Sequence, residues 1–112
     1  MELASQSCVP CQGGIDPIEP EVARGMLAEV PGWELVHDGK RLERTFRFSN
    51  FIEANRFADA VGALAEQQDH HPEITFGWGY VRVAIWSHKI DGLHQNDFIF
   101  AAHTNGLPGA GS

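Results

Sequence analysis

The sequence predicts an α+β fold, a two-layer sandwich in which one four-stranded antiparallel sheet carries three helices on one face. Three observations lead there. Apolar residues recur at helical spacing in three separate stretches, and two pairs of short alternating segments with turn residues between them lie in the gaps. A length of 112 residues is enough for one core and no second one. With hairpin-length links inside each strand pair, the order α-β-β-α-β-β-α gives an antiparallel sheet, because parallel neighbours need long crossovers.

The first helix begins after Glu19. Pro20 suits a first turn, where its missing N–H costs nothing, and Val22, Met26, Leu27 and Val30 fall on one face. Pro31-Gly32 ends it. Residues 33–36 then read as a strand, His37-Asp38-Gly39-Lys40 as a turn, and residues 41–48 as a second strand. In that strand Leu42, Phe46 and Phe48 point one way with Arg44 among them, and Arg41, Glu43, Thr45 and Arg47 point the other. Asn50 and Glu53 have the spacing of a capping box, and behind them Phe51, Ala54, Ala58, Val61 and Ala65 repeat at helical intervals. This helix should run to about Asp69, since the ring of Pro72 pushes the residue before it out of the helical region.

A second hairpin follows. With Gly79-Tyr80 as a two-residue turn, Trp78 faces Val81, Phe76 faces Val83 and Ile74 faces Ile85, which puts Trp78 on the core face. After a loop over residues 87–93, a last helix spans about His94 to His103, with Phe98, Ala101 and Ala102 inward and Asp97 in its first turn. The expected organisation is a flexible arm over 1–18, one domain over 19–103 and a disordered tail over 104–112.

Composition narrows the function. No window approaches the roughly 20 apolar residues of a membrane span, and residues 1–14 lack the basic and apolar stretches of an export signal, so a cytoplasmic address is expected. Fifteen acidic against eight basic side chains give a formal charge of −7, which repels phosphate backbones and argues against direct nucleic-acid binding. The only cysteines, Cys8 and Cys11 in Cys8-Val9-Pro10-Cys11, fit a redox pair, half of a zinc knuckle, or an incidental or locally disulfide-bonded pair.

Of six histidines, three sit with an aspartate at element boundaries: His70 and His71 at a helix exit, His88 after the last strand, and Asp97 opening the last helix. Two imidazoles at one site can be a proton donor and a proton acceptor together, since histidine titrates near neutrality. Taken singly each has a plainer reading: a surface or core histidine, an aspartate complementing a helix dipole, and at Glu66 a solvated helix charge. Zinc is a sharper rival, as three His and one Asp would satisfy it. Adjacency counts against zinc, because neighbours such as His70 and His71 diverge by about 100° on a helix and to opposite faces on a strand.

The run Glu66-Gln67-Gln68-Asp69-His70-His71-Pro72, then Trp78, His88, and Asp97 nine positions later, resembles the signature of the pterin-4a-carbinolamine dehydratases. The likeness extends over about Glu19 to His103 and includes Pro31-Gly32-Trp33, the Phe48 to Phe51 stretch, and Gly92-Leu93 with Asn96-Asp97. It implies loss of the C4a hydroxyl of 4a-hydroxytetrahydrobiopterin, or a related pterin, with the N5 proton, giving a quinonoid dihydropterin in tetrahydrobiopterin recycling. It further implies catalysis by His70, His71 and His88, with Asp97, Glu66, Pro72 and Trp86 in binding or support, and neither metal nor cofactor. The expected partners are the pterin itself, a second copy in a homodimer or homotetramer, and the pathway of an aromatic amino-acid hydroxylase. The alternative is a regulatory binding module, or a dimerisation cofactor for a transcription factor.

Overall fold

The structure is a computed structural model that describes residues 3–8 and 15–110. Its main elements are helix α1 (Pro20–Met26), strands β1 (Glu34–Val36) and β2 (Arg41–Arg47), helix α2 (Phe51–Gln68), strands β3 (Glu73–Gly77) and β4 (Tyr80–Ile85), and helix α3 (Gln95–Asn105). The four strands form one antiparallel sheet in the order β1-β2-β4-β3. The α+β class and the element order are those expected from the sequence. Among the described residues no helix is long and apolar enough to cross a membrane.

Alternation selects the buried face of the sheet. Leu42 and Phe46 of β2 and Val81, Val83 and Ile85 of β4 are all buried, whereas Thr45 and Arg82 between them are exposed. Helix α2 lays Ala54, Phe57, Ala58, Val61, Leu64 and Ala65 on this face, and its N-terminus is closed by Asn50, whose side chain accepts the Glu53 N–H at 3.0 Å. Helix α3 is buried nearly all round, with Phe98, Phe100 and Ala101 fully enclosed. Each such phenylalanine stabilises the fold by about 1.5–3 kcal/mol of transfer free energy.

Several expectations are corrected. In α1 the inward position is Ala23, fully buried, whereas Val22 is 57% exposed. A 3₁₀ turn over Leu27–Glu29 rotates the chain after Met26, so Val30 still reaches the core off the predicted stripe. Phe51, at the first turn of α2, is exposed and meets Phe76 of β3 instead of the core.

The second hairpin turns at Trp78-Gly79, not Gly79-Tyr80: Gly77 pairs with Tyr80, Phe76 with Val81 and Ile74 with Val83. The reason is backbone conformation. The left-handed φ of +83° falls at the second turn position, where Gly79 adopts it without strain. The shift moves every partner by two residues, so the faces keep their polarity while Trp78 leaves the core for the tip and is 71% exposed.

Residues 1–2, 9–14 and 111–112, parts of the expected flexible arm and disordered tail, lie outside the described residues. Leu3 is buried, and residues 3–8 pack on α3 rather than forming a free arm. At the other end α3 runs two residues past His103, and Leu107 and Ala110 pack against the core.

Candidate functional site

Helix α2 ends at Asp69, whose left-handed φ of 52° turns the chain out of the helix while the N–H groups of Asp69 and His70 still bond back to the Ala65 carbonyl. This exit separates the two adjacent histidines. His70 turns inward and is 9% exposed, and its Nε2 lies 2.6 Å from Oδ1 of Asp97. His71 turns outward, and its Nε2 lies 2.5 Å from Oε2 of Glu66, a pair open to solvent. Pro72 then sets the extended path into β3, its ring fixing φ, and does not line the cleft.

Asp97 is fully buried, and a buried carboxylate needs partners on both oxygens. Oδ1 meets His70; Oδ2 accepts the Ser87 hydroxyl at 2.9 Å and the His94 N–H at 2.8 Å. The second bond is half of a capping box. His94 is the N-cap of α3, its Nδ1 accepts the Asn96 N–H at 3.0 Å, and Asp97 at the third helical position reaches back to the His94 backbone. The helix start therefore fixes the carboxylate, and the carboxylate fixes His70. An ionised carboxylate only accepts, so neutral His70 carries its proton on Nε2 and keeps Nδ1 as the proton acceptor.

The loop after β4 completes the site. Ser87 and Gly92 exchange backbone hydrogen bonds, closing a short loop whose 3₁₀ turn, His88–Ile90, presents His88 to solvent. The His88 ring stacks on Trp86 with centroids 4.5 Å apart and planes 29° apart, and the Arg41 guanidinium sits over the Trp86 ring, 3.9 Å from its centroid. Asp69, His70, His71, Trp86, Ser87, His88 and Lys89 line an open cleft of about 340 Å³, at the small end of the range for small-molecule sites.

The structure thus gathers His70, His71, His88 and Trp86 around one cleft, with Asp97 behind it and Glu66 at its rim. Trp78 lies apart, at the hairpin tip. The sequence reading missed Ser87, His94 and Arg41. The His94-x-x-Asp97 spacing of N-cap to third helical residue could have revealed the second; nothing local marks Ser87 or Arg41, which meet the site through folding. The Cys8 and Cys11 reading is only half visible, as Cys11 lies outside the described residues. Cys8 is half-buried, its Sγ donating to the Asn96 carbonyl at 3.4 Å, and burial, with a smaller contribution from Asp97, raises its thiol to about 11. Among the described residues no cluster of three or more His, Cys, Asp or Glu is arranged to hold a metal ion.

Comparison with known proteins gives a consistent result. The profile of the family described as "Pterin 4 alpha carbinolamine dehydratase" matches residues 16–107. The chain is 54% identical over 106 residues to "Putative pterin-4-alpha-carbinolamine dehydratase 1" of Cupriavidus pinatubonensis, covering 95% of this chain and 91% of the relative. It is 53% identical to a similarly named protein of Methylococcus capsulatus, covering 94% and 92%. Among solved structures, a transcriptional coactivator/pterin dehydratase from Brucella melitensis superposes with a TM-score of 0.75 at 26% identity, covering 81% of this chain and 97% of that one. A pterin dehydratase-like protein described as a RuBisCO assembly factor in the alpha-carboxysome gives 0.61 at 28% identity, covering 75% and 95%.

Proposed function

Since the chain belongs to the pterin 4 alpha carbinolamine dehydratase family, we propose that it removes water from a 4a-hydroxytetrahydropterin, yielding the quinonoid dihydropterin, by histidine acid–base catalysis. One observation carries this reading: a buried aspartate holds His70 in a single tautomer at the edge of a cleft that two further imidazoles share.

The reaction breaks the C4a–O bond and forms a C4a–N5 double bond. Oxygen must leave as water, which takes a proton, and N5 must surrender its own. His70 receives the N5 proton on Nδ1, and Asp97, already paired to Nε2, stabilises the imidazolium that results. The proton for the departing hydroxyl comes from the solvent-facing side, where His71, paired with Glu66, and His88 stand. Proton transfer by a positioned side chain contributes about 10²–10⁴-fold. The indole of Trp86 offers the flat pterin a stacking surface once His88 moves off it. No step calls for a metal or cofactor. The pterin of tetrahydrobiopterin recycling is the substrate we favour, in the cytoplasm and alongside an aromatic amino-acid hydroxylase. Self-association as a homodimer or homotetramer is supported by the exposed Phe51, Ile52, Phe76 and Trp78 near β3, an edge strand of the sheet.

The test is the dehydration rate of freshly generated 4a-hydroxytetrahydropterin with and without the protein, in the presence of a chelator. Acceleration that persists with the chelator and is lost in His70→Ala and His71→Ala supports the proposal; a folded protein that leaves the rate unchanged overturns it. The second reading, a regulatory or assembly role, rests on the 28% identity to the assembly factor, and in that case partner binding would survive both histidine substitutions.

A further inference from the structure

His94 makes two bonds at the start of α3. Its backbone N–H donates to Oδ2 of Asp97 at 2.8 Å, and its ring Nδ1 accepts the Asn96 N–H at 3.0 Å. The second bond makes His94 the N-cap, a position where serine, threonine, asparagine or aspartate is the usual acceptor. The hydroxyl and amide caps hold their charge state at any physiological pH, and an imidazole does not. A neutral ring has one acceptor nitrogen, here Nδ1; a protonated ring has two donors and no acceptor. The residue is half-buried, so solvent protons reach it.

We propose that His94 is a positioning residue for the dehydration that works only while its ring is neutral: protonation at Nδ1 releases the first turn of α3, and with it the carboxylate that orients His70. The inference rests on the dehydratase reading. A protonated Nδ1 would set its N–H against the N–H of Asn96, so the ring swings away and the cap is lost. The new charge also stands at the positive end of the α3 dipole, which opposes it. With the cap open, the His94 backbone is no longer held at the extended φ of −131° that aims its N–H at Asp97. The carboxylate loses an anchor, and its direction toward Nε2 of His70 is no longer fixed.

Asp97 on α3 itself, His70 from α2 and Cys8 from the N-terminal segment surround this turn. The loop entering α3 brings His88, Lys89 and Asp91, and the segment whose Ile18 N–H bonds to the Leu93 carbonyl brings Asp16 and Glu19. These last five are exposed, so water and salt screen them. Asp97 is the buried charge among the eight, and it attracts a protonated ring. Its Oδ2 already accepts two bonds and its Oδ1 faces His70, so a charged ring that turned toward it would compete with the Ser87 hydroxyl or with His70. Either movement disturbs the pair.

The experiment compares the full chain with His94→Asn, His94→Ser and His94→Ala. Asparagine and serine cap a helix without titrating; alanine does not cap. Both kcat and the protection factor of the Asn96 amide are measured from about pH 5 to 8, the range in which histidine changes charge. Dividing the wild-type kcat by that of His94→Asn cancels the dependence that His70, His71 and His88 give to both. This ratio should be about one at pH 8 and fall about three- to tenfold toward pH 5, with little change in KM. Over the same range wild-type Asn96 protection should drop about two- to thirtyfold, the span of a lost N-cap, and stay level in His94→Asn. His94→Ser should match His94→Asn, so one poorly folded variant leaves the comparison intact. His94→Ala should stay below His94→Asn by the same factor at every pH. A ratio that is flat across the range overturns the proposal, as does a His94→Ala enzyme as active as His94→Asn. The protection readout does not depend on the reaction: a protein without dehydratase activity whose Asn96 protection still follows pH would sink only the dehydratase reading, and level protection in the wild type would sink the proton-dependent cap.

Discussion

His70 and Asp97, 27 residues apart in sequence, are joined by a 2.6 Å contact inside the protein, and the aspartate's other oxygen is held by a hydroxyl and a helix-capping N–H. The carboxylate cannot rotate away without leaving Ser87 and the start of α3 unpaired. Its direction is set by the fold, and with it the proton placement on His70.

Replacing Asp97 by Asn should separate proton placement from packing. The amide keeps the size and one acceptor oxygen, but its NH2 group facing His70 favours the tautomer with the proton on Nδ1. We expect kcat to fall by about 10²-fold or more, while far-ultraviolet circular dichroism stays native-like. Full activity in a folded variant would remove Asp97 from the mechanism.

Trp86 carries both the Arg41 guanidinium and the stacked His88 ring against its indole, and a pterin that stacks there competes with these groups for the ring. In Trp86→Leu an apolar floor remains without an extended π-face. KM should rise about two- to tenfold, the worth of an aromatic pair of roughly 0.5–1.5 kcal/mol, with a smaller change in kcat. Steady-state kinetics distinguish this outcome from a loss confined to kcat, which would mean that Trp86 only props His88.

Gly32 has φ of +90°, and a Cβ there would lie 2.6 Å from Nε of Arg44. Arg44 is not free to yield, since its Nη1 donates to Oδ1 of Asn105 at 2.6 Å and to the Pro31 carbonyl at 3.1 Å, and Trp33 shares the same Asn105 oxygen. Gly32→Ala should cost about 1–3 kcal/mol from backbone strain, measured as a lower urea midpoint with an unchanged slope. An unaffected midpoint would show that the Arg44 network adjusts freely.

The Cys8 thiol has a defined pH signature. Its ionisation is raised from 9.0 to about 11, chiefly by burial and secondarily by Asp97, so the folded chain holds this proton more tightly than the unfolded chain. The stability linked to it is complete below pH 9 and is lost as pH rises through about 11. In a Cys11→Ser background, iodoacetamide should label native Cys8 slowly until the pH nears that upper value, and further replacement of Cys8 by Ser should flatten the alkaline fall in Tm. Rapid labelling at pH 8 would contradict the buried placement of Cys8.

Much of this architecture was legible because it rests on local rules. Asn50 capping α2, the alternation of Leu42, Phe46, Val81, Val83 and Ile85, and the halt of α2 before Pro72 all follow from short-range sterics and hydrogen bonding. The hairpin register was missed because Gly79 suits either the first or the second position of a tight turn, and both choices pair apolar residues. The inward stripe of α1 was missed because a 3₁₀ turn changes the period after Met26. At the cleft, the histidines and Asp97 were legible as a spaced set. Ser87 and Arg41 were not, because a hydroxyl reaching a carboxylate and a guanidinium on an indole are tertiary facts with no signal in either residue's neighbours. The packing of Ala110 was hidden by glycine-rich surroundings that read as loose chain, and that of Leu3 by its distance in sequence from the first periodic segment.

The two-residue difference in the β3–β4 pairing has a bearing on how such a gene can change. Pleated strands alternate with a period of two, so gaining or losing a pair of codons at the Trp78-Gly79 tip lengthens or shortens the ribbon and leaves Ile74, Val81 and Val83 facing inward. A single inserted codon would turn one strand inside out unless a bulge absorbed it. Length variation at this tip should accordingly arrive in twos, and the cleft at the far end of β4 is insulated from it.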